Sequence, residues 1–135
     1  MQFLVDTDVC SAHLRGKASA TAKFFQYAGR LSISVLTLGE LLSWTRRKNA
    51  GAKHQSALDG LLSEINVLPV DAAIAERFGS VRAELLDRGH VVATIDLLIA
   101  STALLHGLTV VTHNTRHFQP VPGLSYVDWL EDERT

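Results

Sequence analysis

Residues 91–118 read VVATIDLLIASTALLHGLTVVTHNTRHF and set a helix, a strand and a polar loop in unbroken succession. Leu97, Leu98, Ile99, Ala100, Ala103, Leu104 and Leu105 leave the helix almost no polar face, which predicts burial in the middle of the domain, with Thr94 as N-cap. Gly107 ends it. Leu108 to Val111 is the short apolar run of a parallel strand covered on both faces, and Thr112 opens a loop crowded with polar groups. One carboxylate, Asp96, sits inside this apolar unit. The helix dipole favours an acid in the first turn by roughly 0.3–1 kcal/mol, which accounts for many such residues without any function. Asp96 acquires another meaning only if other acids reach the same place.

Working outward, Gln2 to Val5 reads as a short strand that runs into Asp6-Thr7-Asp8, where a helix starts with Thr7 or Asp8 as cap. A second helix over Ser19 to Ala28 is expected to bury Ala22, Phe25 and Phe24. Leu31 to Val35 alternates as a strand, and Thr37-Leu38-Gly39-Glu40 fits a capping box, a purely structural use of Glu40. The next helix ends in Arg46, Arg47 and Lys48, ordinary for a solvated last turn. Helical spacing returns over Lys53 to Ile65. Val67 to Val70 is a strand confined to an edge or an end by Pro69, and Asp71 caps a helix that Gly89 stops. Ser125 to Trp129 is a last short strand, and Glu131 to Thr135 an acidic tail expected to fray.

Strands alternating with helices call for an α/β fold with a mainly parallel sheet. In such sheets ligands bind beyond the carboxyl ends of the strands. Asp6 follows the first strand, Glu40 the second, and Thr112 and Asn114 a later one. Asp96 opens the helix that leads into that later strand, so its place at the same edge is not fixed by order alone.

A length of 135 residues suits one domain, 1–135, and 47% hydrophobic with 20% charged residues describes an ordinary globular core. The net charge of −1 and pI near 6.6 carry no whole-protein basicity of the nucleic-acid-binding kind, so contact with phosphate would need a local basic patch or a bound cation. A single cysteine, Cys10, makes no internal disulfide and suits a reducing cytoplasm. No signal peptide or membrane span is legible, because the apolar stretches are short or interrupted.

If Asp6, Glu40 and Asp96 converge, they repel: at about 4 Å and an effective dielectric near 20 each pair costs roughly 4 kcal/mol. A cation relieves this. Oxygen ligands without Cys or a His pair select a hard ion, Mg²⁺ or Mn²⁺, which polarises phosphate and activates water for in-line attack on a phosphodiester. His113 and His117 would suit a metal only if their loop were helical, and are read as loop or phosphate-facing groups.

The segments FLVDTDV, SISVLTLGELL, IDLLIASTALLHGLTVVTHNTRHF and PVPGLSYVDW together resemble PIN-domain ribonucleases of the VapC toxin type, in the right order over nearly the whole chain. The resemblance implies a three-layer α/β/α sandwich around a mainly parallel sheet. It also implies a Mg²⁺- or Mn²⁺-dependent endoribonuclease that acts on structured or translation-linked RNA, a cytoplasmic homodimer held inactive by a VapB-type antitoxin. By position Asp6, Glu40 and Asp96 would be the metal-binding acids, with Thr112 and Asn114 positioning water and Asp8 as support or cap. Arg46, Arg47, Lys48, Lys53 and His117 are candidate RNA contacts, and Phe24, Phe25, Tyr27 and Trp44 candidates for an antitoxin groove. Many PIN domains carry a fourth acid in the loop corresponding to Thr112–Phe118, where this chain has none; one ion per subunit is therefore expected without RNA. Two other readings remain: LVDTDVC is similar to the nucleophile strand of haloacid-dehalogenase-type phosphohydrolases, with Asp6 phosphorylated, and the chain also reads as a non-catalytic PIN-like module that binds RNA or protein without turnover.

Overall fold

A computed structural model describes residues 1–130; the tail at Glu131–Thr135 lies outside them. Twelve elements are formed by the described residues: β1 (Phe3–Val5), α1 (Thr7–Leu14), α2 (Ala18–Gln26), β2 (Leu31–Ser34), α3 (Val35–Thr45), α4 (Ala52–Leu62), β3 (Asn66–Leu68), α5 (Ala72–Asp87), α6 (Thr94–His106), β4 (Thr109–Val111), α7 (Thr115–Phe118) and β5 (Tyr126–Val127). The strands make one sheet in the order β3-β2-β1-β4-β5, and every pairing is parallel.

Successive residues of a strand face opposite sides, and β1 divides the core accordingly. Phe3 and Val5 pack with Val9 and Cys10 of α1, Phe24 of α2, Leu41 of α3 and Leu58 and Leu61 of α4. Leu4, with Val110 of β4, packs instead on Val81 and Leu85 of α5, Leu97, Ile99, Ala100 and Ala103 of α6, and Phe118. This is the expected three-layer sandwich, with α6 in the core as its composition predicts. Gly107 closes α6 at φ 66°, and Leu108 N–H returns to the Ala103 carbonyl at 2.9 Å, so the chain turns straight into β4.

Several local expectations are corrected. Asp6 rather than Thr7 or Asp8 caps α1, and Ala93 rather than Thr94 precedes α6. The capping box at Thr37–Glu40 does not form: the helix begins earlier, at Val35, with the Ser34 hydroxyl accepting Leu36 N–H at 3.1 Å. All four residues of β2 are buried, because a strand with neighbours on both sides and helices on both faces has no solvent side for its serines. In α2 the buried residues are Ala20 and Phe24, while Ala22 is exposed and Phe25 is 80% exposed. The polar loop after β4 contains the one-turn helix α7. As expected, Asp71 caps α5, and β3, next to Pro69, is an edge strand.

Candidate functional site

The chain reverses direction across the sheet between β1 and β4, the place where an open parallel sheet leaves a crevice at its carboxyl edge. Asp6 and Thr112, the first residues after those two strands, meet there. Asp6 N–H donates to the Val111 carbonyl at 2.8 Å, which continues the ladder one step past the strands. Its Oδ1 accepts Thr7 N–H at 2.9 Å, and its Oδ2 accepts the Thr112 hydroxyl at 3.0 Å. Thr112 Oγ1 in turn accepts Asn114 N–H at 3.0 Å and so holds the loop.

Glu40, exposed on α3, reaches back to α1: the Thr7 hydroxyl donates to its Oε1 at 2.6 Å. Asp96 joins from the other layer. Because α6 leads into β4 and packs against the sheet, its first turn lies at the carboxyl edge, and Asp96 Oδ2 stands 3.2 Å from His117 Nδ1 of α7. The edge that sequence order left open for Asp96 is thus the same one, and Asp96 acts on Asp6 electrostatically.

Asp6 is 8% exposed, and burial, reinforced by Asp8, pushes its carboxyl up to about 6; the hydrogen bonds from Thr7 and Thr112 oppose this, and Asp96 adds to it. Burial also raises Asp8, against the hydrogen bonds from His113 N–H and Val9 N–H to its carboxylate, at 2.9 and 2.8 Å. Among the described residues no lysine or arginine pairs with Asp6, Asp8, Glu40 or Asp96; their partners are backbone N–H groups, hydroxyls and a histidine.

A buried acid pair without a compensating side-chain cation fits a hard divalent ion. Thr37 Oγ1, a turn before Glu40 on α3, is fully buried and has no hydrogen-bond partner among the described residues. Yet among the described residues no three His, Cys, Asp or Glu side chains are arranged to hold a metal ion. Glu40 is engaged by Thr7 and Asp96 lies against His117, so the residue types match the ion while these side-chain positions do not yet enclose it.

Two contributors escaped the sequence reading. Thr7 bridges Asp6 and Glu40. Asp128, directly after β5, has Oδ2 at 2.9 Å from His113 Nδ1, and His113 donates its backbone N–H to Asp8. The signal for Asp128 was available, since it too follows a parallel strand at the carboxyl edge. Cys10 is fully buried, and burial pushes its thiol up, as an inert core residue requires. The aromatics expected to line one antitoxin groove are divided. Tyr27 stacks on Trp129 and tilts against Phe3, Phe24 meets Trp129 edge to face, Phe25 stands in the open, and Trp44 meets His54 elsewhere.

The PIN domain family matches residues 3–124. This chain belongs to the PIN-domain family. Within it the chain is 37% identical over 130 residues to the tRNA(fMet)-specific endonuclease VapC of Shigella flexneri, covering 96% of this chain and 98% of the relative. It is 33% identical to the protein of the same name from Salmonella typhimurium, with the same coverage. Among solved structures, VapBC2 from Rickettsia felis bound to a promoter DNA fragment superposes with a TM-score of 0.87 at 28% identity, covering 96% of this chain and 99% of that one. DNA-bound VapBC from Salmonella typhimurium also gives 0.87, at 33% identity, covering 96% and 98%. Membership in the PIN family displaces the phosphohydrolase reading of LVDTDVC. Among the described residues no helix is long and apolar enough to cross a membrane.

Proposed function

We propose that this VapC-type ribonuclease is a Mg²⁺- or Mn²⁺-dependent endoribonuclease, the toxin of a type II toxin–antitoxin pair that cleaves structured or translation-linked RNA. What supports the reading is that Asp6 at the β1/β4 crevice is linked through Thr7 to Glu40 and is acted on electrostatically by Asp8 and Asp96, while none of these acids is paired with a lysine or arginine among the described residues. Asp6, Glu40 and Asp96 would hold the ion once Glu40 leaves Thr7 and Asp96 leaves His117. When bound, the ion supplies a polarised phosphate and water made acidic enough to attack. The chain does the rest. Thr112 and the N-cap bond from Thr7 keep Asp6 fixed, so the buried carboxylate pays no reorganisation when substrate arrives. Thr112 and Asn114 orient the attacking water, Asp8 anchors the loop through His113 N–H, and exposed Arg46, Arg47, Lys48, Lys53 and His117 take up RNA phosphates.

The same reading makes the protein a cytoplasmic homodimer restrained by a VapB-type antitoxin, in line with solved neighbours that are VapBC complexes. The name of the Shigella relative makes initiator tRNA the first substrate to offer. Purified protein is incubated with cellular RNA and with that tRNA in Mg²⁺ or Mn²⁺, beside Asp96→Asn and an EDTA control. Discrete cuts lost in both controls are expected. Equal inertness of wild type and variant, with tight binding of RNA or antitoxin by both, would instead make the chain a binding module.

A further inference from the structure

Helix α3 carries more than Glu40. Trp44 follows four residues later, so it lies one turn along on the same helix face. There the end of α3 and the start of α4 enclose an open groove lined by Trp44, Arg47, Lys48, Asn49, Ala50 and His54. The Trp44 and His54 rings meet edge to face, with centroids 4.7 Å apart and planes at 78°. Gly51 N–H donates to His54 Nδ1 at 2.9 Å, which assigns the neutral ring's proton to Nε2. Among the described residues neither that N–H nor the indole N–H of Trp44 has a hydrogen-bond partner.

No carboxylate lines the groove, and among the described residues neither Arg47 nor Lys48 enters an ion pair. The site thus combines two cations, an amide, two ring donors and an indole face. Apolar side chains would serve a hydrophobic peptide, and acids would serve a basic one. Donors, cations and a stacking surface match a nucleotide, whose base has a π-face and whose phosphates are anionic.

We propose that this groove is a nucleotide subsite for the RNA substrate: an unpaired base stacks on Trp44 and its flanking phosphates lie on Arg47 and Lys48, one helical turn from Glu40. The proposal rests on the ribonuclease reading. It assigns to Trp44, rather than to the acids, a part in choosing where along an RNA the cut falls.

The test measures binding of short fluorescent single-stranded RNAs, and of a hairpin of the same sequence, to the full chain in EDTA, where the RNA stays whole. Trp44→Ala should weaken single-strand binding by at least about fivefold, and Trp44→Phe by much less, as stacking on an aromatic ring requires. Arg47→Ala/Lys48→Ala should lower the slope of log affinity on log salt by about 1–2. RNA should quench tryptophan fluorescence in the wild type and not in Trp44→Phe, because the other indole, Trp129, is 5% exposed. Since Trp44 is partly buried, circular dichroism checks the alanine variant, and Trp44→Phe with the double variant decides the matter if that variant unfolds. Unchanged quenching in Trp44→Phe, an unchanged salt slope in the double variant, or loss of antitoxin binding with RNA binding intact would overturn the subsite. Cleavage by wild type with an unchanged KM in Trp44→Ala removes the subsite alone; absence of any cleavage by wild type removes the ribonuclease reading beneath it.

Discussion

Replacing Asp6 by Asn isolates the charge at the centre of the site. Asn caps helices about as well as Asp, so its oxygen can keep Thr7 N–H while the amide faces the Thr112 hydroxyl. Burial, with Asp8 close by, pushes the Asp6 carboxyl from the usual 3.8 up to about 6. A folded pKa above the unfolded one means that, in this interval, the folded chain holds a proton the unfolded chain has released. The wild type therefore loses stability as pH rises through the interval, and the whole penalty stands above about 6. A gap of about two pH units, at about 1.4 kcal/mol each, makes this about 3 kcal/mol, or roughly 10 °C in Tm for a chain of this size. The assay is urea denaturation of both proteins in EDTA across that range. Near the acid end the two should be equally stable, and near neutral pH Asp6→Asn should be the more stable by about 3 kcal/mol. Adding Mg²⁺ at neutral pH should stabilise the wild type and leave the variant unmoved. Parallel stability curves, or a variant weaker than wild type near neutral pH without metal, would refute the view of Asp6 as a buried carboxylate lacking a counter-charge.

Thr112→Val removes the hydroxyl that Asp6 and Asn114 share. It should cost about 1–3 kcal/mol in thermal unfolding and move the acid limb of the pH–rate profile upward, since that bond lowers Asp6; unchanged stability would count against the shared contact. Titration calorimetry without RNA should find one Mg²⁺ or Mn²⁺ per chain, and two well-occupied ions would contradict the count. His113→Ala should change global stability by under about 1 kcal/mol, because its ring is 58% exposed, yet speed amide exchange from Asn114 to Phe118. Gly107→Ala, at φ 66° with open space for a Cβ, should destabilise by about 1 kcal/mol in urea titration, and a more stable variant would show that the turn relaxes.

Sequence revealed most of the layer order because apolar stretches of helix length and of strand length alternate between glycine breaks, as α6 and β4 do on either side of Gly107. It failed at helix starts. Ser34 is a serine in an apolar run, read as part of a strand, whereas Thr37 and Glu40 make a familiar box three residues further on; a cap depends on where the strand stops, and that is set by pairing with β1 and β3. Phe25 and Phe24 illustrate a related limit. Adjacent aromatics on a helix cannot both face one core, and sequence does not say which is turned inward; contact with His13 at 4.0 Å and with Trp129 at 6.0 Å selects Phe24. Within the site, Asp6 was legible from its strand alone. The Thr7–Glu40 bond joins residues 33 apart in sequence on two helices, and no local pattern encodes it.

The loop after β4 has no acid, which raised the prospect of a site one charge short. Asp128 changes that count without reversing it. It lies at the same edge after β5, but His113 stands between it and Asp8 and takes its Oδ2 at 2.9 Å. A carboxylate already occupied by an imidazole contributes structure before it contributes affinity for a second ion. Its consequence is mechanical: beside the Thr112–Asp6 bond and the Thr112 N–H to the Val127 carbonyl, His113 adds a second tie between α1, the β4–α7 loop and the end of β5, through its backbone N–H on one side and its ring on the other. That tie steadies the loop whose Thr112 and Asn114 are bonded in series to Asp6, and under the proposed function it leaves Asp6, Glu40 and Asp96 as the acids on which binding of one ion would depend.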